Sequence, residues 1–203
     1  MTCLPRLFAA PALALGLALA APLPGLAADT LALETAVSAA ELSDKKQTKA
    51  GLYITASEAG EVLAARDDVL LLDVRSPEET MLIGYPTAAD ANVPFKLINP
   101  AHELNAKKGS YKMMDNPGFV PAVKAMLEEA DPAAVVVMCR SGSRSAAAVN
   151  TLTKAGVDIP LYSMIDGFEG DKNDAGRRVV NGWKNADLDW TYKVTEGLLQ
   201  GVE

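Results

Sequence analysis

The chain has 203 residues, a formal net charge of -7, two cysteines and one histidine. A chain this acidic is not expected to bind nucleic acid or anionic lipid, since both require a basic patch. With so few cysteine and histidine ligands, no structural zinc or other metal site is expected.

Residues 1–28 carry a single charge, Arg6, ahead of an uncharged run of Leu, Ala, Phe, Gly and Pro. This is the layout of a cleavable secretory leader. Gly25 and Ala27 suit cleavage after Ala27 or Ala28, and Pro22 and Pro24 interrupt any helix that would continue across a bilayer. The competing reading is a retained membrane anchor, because the apolar run approaches the length that spans hydrocarbon. Cleavage would remove Cys3 and Arg6, taking the formal charge from -7 to -8. The expected product is an exported protein of about 175 residues, most simply of the bacterial periplasm, with no stable membrane insertion. Its one remaining thiol, Cys139, has no disulfide partner in its own chain.

Residues 29–50 are rich in Ala, Leu and charge and read as an N-terminal extension, either a short helix or partly ordered, whose lysine cluster is a solvated linker. "LYI" predicts a short strand, and Thr55 with Glu58 forms a T-x-x-E capping box that opens a helix. Residues 69–74 are a continuous apolar strand, the pattern of a parallel sheet buried on both faces. Ser76 and Pro77 then open a helical turn in which Glu78 and Glu79 meet the positive end of the dipole. A weaker strand at 92–95 precedes an irregular insertion, 96–117, that holds His102 and should lie over one end of the sheet. A helix over 118–129, a strand over 133–138, a helix ending at Gly156 and a strand over 161–165 follow. The remainder reads as turn, helix and aromatic clasp, with a tail over 194–203. This alternation predicts an α/β domain over 51–193: a mostly parallel five-stranded sheet with helices on both faces.

The chemistry gathers where a strand runs into "CRSGSRS", Cys139 to Ser145. Ligands of open α/β sheets bind beyond the carboxyl ends of strands, where Cys139 would sit. A loop passing through Gly142 into a helix can turn its N–H groups toward one anion. A free thiol is only a few per cent thiolate at neutral pH, and one helix dipole supplies about 0.3–1 kcal/mol toward its anion. Arg140 and Arg144 are expected to add to this. The bland alternative, an inert small apolar side chain, fits poorly with charged and glycine neighbours.

"CRSGSRS" resembles the active-site loop of the rhodanese family of sulfurtransferases. "LLLDVRSPEE" is similar to that family's early strand with its Asp-x-Arg signature, here Asp73 and Arg75. "GYPTAADANVPF" matches a further family segment at Gly84, Asn92, Val93 and Pro94, and "GFEG" with "GWKNADLDW" resembles the closing pattern. Tyr85 replaces the usual His, 96–117 is longer than in compact members, and about a dozen residues separate Gly170 from Trp183.

The resemblance implies a rhodanese-like domain acting as a thiosulfate-type sulfurtransferase through a Cys139 persulfide, with no other cofactor. Arg140, Ser141, Gly142, Ser143, Arg144 and Ser145 would bind the anion, and Asp73 and Arg75 would brace the loop. The expected partners are a small anionic sulfur donor and a thiol, protein thiol or cyanide as acceptor.

Two alternatives stand beside this. Cysteine-dependent phosphatases and arsenate reductases place five residues between Cys and Arg, whereas four separate Cys139 from Arg144. A non-catalytic or carrier module would keep the loop and bind a partner. Phe168, Trp183 and Trp190 could form a binding platform but read as core clasps, and Arg177 and Arg178 could meet an anionic substrate or face solvent, of which solvent is the favoured reading.

Overall fold

The computed structural model describes Leu33 and residues 35–202, so the leader and Cys3 lie outside the described residues. Strand β1 (Tyr53–Ile54) leads into helix α1 (Ala56–Ala65) through the expected capping box. Thr55 Oγ1 accepts from the Glu58 amide at 3.2 Å, and Glu58 Oε2 accepts from the Thr55 amide at 2.7 Å. The apolar run becomes β2 (Val69–Asp73), followed by α2 (Pro77–Ile83), whose first position holds proline, where no amide hydrogen is needed. Short strands β3 (Tyr85–Pro86) and β4 (Ala91–Asn92) follow.

The segment after β4 is more regular than its composition indicates. Strands β5 (Lys96–Ile98) and β8 (Met113–Asp115) pair antiparallel, and between them β6 (Leu104–Asn105) pairs with β7 (Ser110–Tyr111). The insertion is therefore a ribbon arm. Its side chains alternate little in polarity and most are exposed, so the ladder hydrogen bonds, not a hydrophobic face, define it. Helix α3 (Phe119–Ala130), strand β9 (Ala134–Met138), helix α4 (Ser143–Lys154) and strand β10 (Leu161–Met164) complete the alternating part.

The central sheet has the order β1-β10-β9-β2-β4, and every pairing in it is parallel. Period-2 alternation sorts its side chains into two cores. Leu72, Val135 and Val137 pack with Phe119 and Val123 of α3 and with Val149 and Leu152 of α4. On the other face Leu71, Val136 and Met138 pack with Ala56 and Ala59 of α1 and with Phe168 and Trp183. Both faces are covered, as the uninterrupted apolar runs require.

The C-terminal part departs from the expected turn and helix. It forms a two-residue ribbon bridge between Lys172 and Arg178, a 3-10 turn at Trp183–Asn185, and β11 (Trp190–Thr191), which pairs with β3. Glycines at 170, 176 and 182 with positive φ break up any helix there. The tail is built into the sheet's outer edge: the Asn92 amide donates to the Leu198 carbonyl at 2.7 Å, and the Gln200 amide to the Asn92 carbonyl at 2.9 Å. That covers an edge strand which would otherwise be open to pairing.

The N-terminal extension contains 3-10 turns at Ala39–Glu41 and Asp44–Lys46 and lies against the domain. The Leu33 amide donates to the Tyr162 hydroxyl at 2.6 Å, and the Lys49 amide to Asn150 Oδ1 at 2.9 Å. The lysine cluster is not wholly solvated, because Lys46 Nζ pairs with Asp171 at 3.1 Å.

Candidate active site

Strand β9 is buried at all five positions and delivers Cys139 to the carboxyl edge of the sheet, where the side chain is 2% exposed. The chain then turns through Gly142, at φ +98, to start α4. A Cβ at Gly142 would run into the Ile165 carbonyl, so both the dihedral and the space demand glycine. The turn brings the Gly142 amide to 3.2 Å from Cys139 Sγ, the direct donor to the sulfur among the described residues. The first hydrogen bond of the helix runs from the Ala146 amide to the Gly142 carbonyl at 3.0 Å, so the amides of Ser143, Arg144 and Ser145 open its positive end.

The outer wall of the loop is the turn after β10. The Phe168 amide donates to the Cys139 carbonyl at 2.7 Å, and the Glu169 amide to the Arg140 carbonyl at 3.0 Å. Gly167, at φ +64, lies so close that a Cβ would meet the backbone of Cys139, Arg140 and Ser141. Turn and loop are thus locked backbone to backbone.

The two arginines of the loop are both in ion pairs. Arg140 Nε donates to Glu169 Oε2 at 2.5 Å, with the Arg140 side chain 44% exposed. Arg144 makes a two-pronged pair with Glu79 of α2, Nη1 to Oε2 and Nη2 to Oε1, each at 2.6 Å. Burial alone would push the Glu79 carboxyl up, but the Arg144 hydrogen bonds and charge outweigh it and hold Glu79 below the usual carboxylate range. Arg144 moves up for the same reason: burial opposes its charge, and Glu79, with a smaller contribution from the nearby Cys139 sulfur, overcomes it. Loop cations expected from the sequence to stabilise the thiolate and bind an anion are therefore compensated by carboxylates from distant segments.

Of the serines, Ser141 is partly buried, Ser143 exposed, and Ser145 fully buried with an Oγ that has no partner. Asp73 and Arg75 are both fully buried and form a pair at 2.6 Å, and Arg75 Nη2 also donates to the Gly84 carbonyl at 2.9 Å. The Arg75 guanidinium lies 4.2 Å from the centroid of Phe168, the residue whose amide holds the Cys139 carbonyl. The pair thereby packs against the turn that holds the loop backbone. Asn92 ties this unit together by donating to the Asp73 and Arg75 carbonyls at 3.0 and 2.9 Å. His102 sits exposed on the ribbon arm, its ring 5.5 Å from that of Tyr111.

Three placements were not legible as such. Glu79 reads in sequence as a dipole and capping residue, and it does accept from the Ser76 amide at 3.1 Å, but its main partner is 65 residues away. Glu169 carries no signal beyond its place in "GFEG". Arg178, expected in solvent, turns back so that Nη1 donates to the Gly170 carbonyl, while Arg177 is exposed as expected.

The family model for the rhodanese-like domain matches residues 55–174. The uncharacterized protein RC0915 of Rickettsia conorii is 32% identical over 139 residues, spanning 68% of this chain and 96% of its own. An uncharacterized protein in the dnaA 5' region of Rickettsia montanensis is similar to the same extent, 32% over 139 residues, with the same coverage. The crystal structure of Rv0390 from M. tuberculosis superposes with a TM-score of 0.51 at 28% identity, covering 69% of this chain and 96% of that one. Parallel sheet, cysteine loop and these matches agree: the chain belongs to the rhodanese-like domain family.

Proposed function

We propose that the protein is a sulfurtransferase that carries sulfane sulfur as a persulfide on Cys139, taking it from thiosulfate or a related anionic donor. The observation that carries this reading is the Gly142 amide 3.2 Å from Cys139 Sγ at the start of α4. That donor and the helix end favour negative charge on sulfur, whether thiolate or persulfide. In the first step the thiolate attacks the outer sulfur of thiosulfate. A new S–S bond forms, the donor's S–S bond breaks, and its electron pair leaves with sulfite. In the second step a nucleophile such as cyanide or a thiol attacks the outer persulfide sulfur, and the electron pair returns to Cys139 as thiolate. Apart from the covalent persulfide, the cycle requires no cofactor.

The test is intact mass of the purified protein after exposure to thiosulfate. A gain of one sulfur, removed by cyanide and absent in Cys139→Ser, supports the reading. No gain in wild type, or an equal gain in the serine variant, overturns it. A carrier role is the second reading, supported by the near-complete burial of Cys139 and the pairing of both loop arginines. It predicts a persulfide that forms once and turns over slowly with cyanide. Export, as read from residues 1–28, is part of the proposal, and the mass of the protein recovered from its native compartment tests it.

A further inference from the structure

Arg140 and Arg144 each face a carboxylate, which leaves open what supplies positive charge for an anionic donor. Arg178 meets this need. Among the described residues no carboxylate lies within ion-pair distance of it, and its Nε is shielded from solvent without a partner. It is carried by the segment that lengthens the stretch between Gly170 and Trp183, a ribbon pinned at its neck. The Asp171 amide donates to Asn181 Oδ1 at 2.7 Å, and Gly170 and Gly182 touch backbone to backbone. Within the ribbon, the Asn173 amide donates to the Arg177 carbonyl at 2.8 Å and the Arg177 amide to Asn173 Oδ1 at 3.0 Å.

The neck continues directly from Glu169, whose backbone holds Arg140 and whose carboxylate pairs with it. With Nη1 on the Gly170 carbonyl, the Arg178 guanidinium is therefore held at the edge of the cysteine loop. Its surroundings agree: burial and the like charge of Arg140 pull its pKa down, while Glu169, Asp171 and the Cys139 sulfur lie near enough to oppose this. The ribbon is also anchored from the N-terminal extension, through the Lys46 pair with Asp171. That pair occupies Asp171, one of the two carboxylates near Arg178, and the other, Glu169, is paired with Arg140.

We propose that Arg178 is a specificity-determining residue which holds the anionic end of the sulfur donor beside Cys139, selecting small oxyanion donors of the thiosulfate type over neutral ones. This rests on the sulfurtransferase reading for the identity of the donor, but not for the placement of the charge.

The experiment compares alkylation of Cys139 by iodoacetate, an anion, and by iodoacetamide, its neutral counterpart. Arg178→Gln should lower the ratio of the two rates by roughly three- to ten-fold, the effect expected of one partly screened charge near the sulfur. Arg178→Lys should keep the ratio within about two-fold of wild type, and Arg177→Gln should leave it unchanged. An unchanged ratio in Arg178→Gln, or an equal fall in Arg177→Gln, overturns the proposal. A purely structural tether would slow or speed both reagents together.

A second measurement leaves position 178 intact, in case Arg178→Gln does not fold. In Cys139→Ser protein, sulfate should protect Arg178 from phenylglyoxal, as mapped by peptide mass, and absence of protection overturns the proposal. In turnover, Arg178→Gln should raise KM for thiosulfate more than it changes kcat. Wild-type protein that takes no sulfur from thiosulfate would sink the sulfurtransferase reading, while the alkylation ratio would still decide the role of Arg178.

Discussion

Glu79 and Arg144 clasp each other through two hydrogen bonds of 2.6 Å, joining α2 to the first turn of α4 across the mouth of the cysteine loop. The pair sets the position of the helix that opens on the sulfur. It also removes the free charge that the arginine would otherwise present.

Glu79→Gln should therefore destabilise the fold, by about 1–3 kcal/mol, because Arg144 loses its charged partner in a mostly buried site. Urea unfolding measures this. The variant should also change the acid limb. The Glu79 carboxyl is depressed in the folded state, so its contribution is fully present above the ordinary value of 4.5 and is lost as pH falls through the lower folded value. Stability of the wild type should drop more steeply over that window than stability of Glu79→Gln. Parallel acid limbs would contradict the assignment.

Gly142→Ala should be damaging on both counts at which glycine is required, the positive φ and the approach to the Ile165 carbonyl. The expected loss is about 2–3 kcal/mol, together with slower sulfur uptake by Cys139, since the amide at 3.2 Å must move with the loop. Thermal unfolding and intact mass read the two effects separately. A variant that loads sulfur at the wild-type rate would show that this amide is dispensable.

Asp73→Asn should cost about 3–5 kcal/mol, the penalty for leaving Arg75 charged and unmatched where it is fully buried. Because the pair packs against the turn that holds the loop backbone, the folded fraction should keep its Cys139 alkylation rate within about two-fold of wild type. A large fall in that rate at full folding would mean that the pair acts directly on the thiol.

Tyr85→Phe should be mild. The hydroxyl donates to the Lys193 carbonyl at 2.8 Å, tying the β3 edge to the segment after β11. A loss of about 1 kcal/mol with unchanged sulfur loading is expected. A marked change in loading would give Tyr85, which replaces the family's usual His, a part in the chemistry.

Much of this protein could be read from short stretches of the chain. The buried runs at 69–74 and 133–138, the Thr55–Glu58 box and the glycine turn after Cys139 are decided by neighbours a few residues apart. These were sufficient for an α/β sheet with a cysteine at its carboxyl edge, and the sheet is parallel throughout. The ribbon arm over 96–117 escaped because its ladders join residues with no periodic hydrophobic face. The charge balance of the site escaped for another reason. Cys139, Arg140 and Arg144 lie within six residues, but Glu79 and Glu169 pair with the two arginines from other segments. Local sequence determined where the thiol and its helix would stand. Only the tertiary structure decided which charges surround them, because an ion pair depends on distance in space, and sequence separation places no bound on that distance.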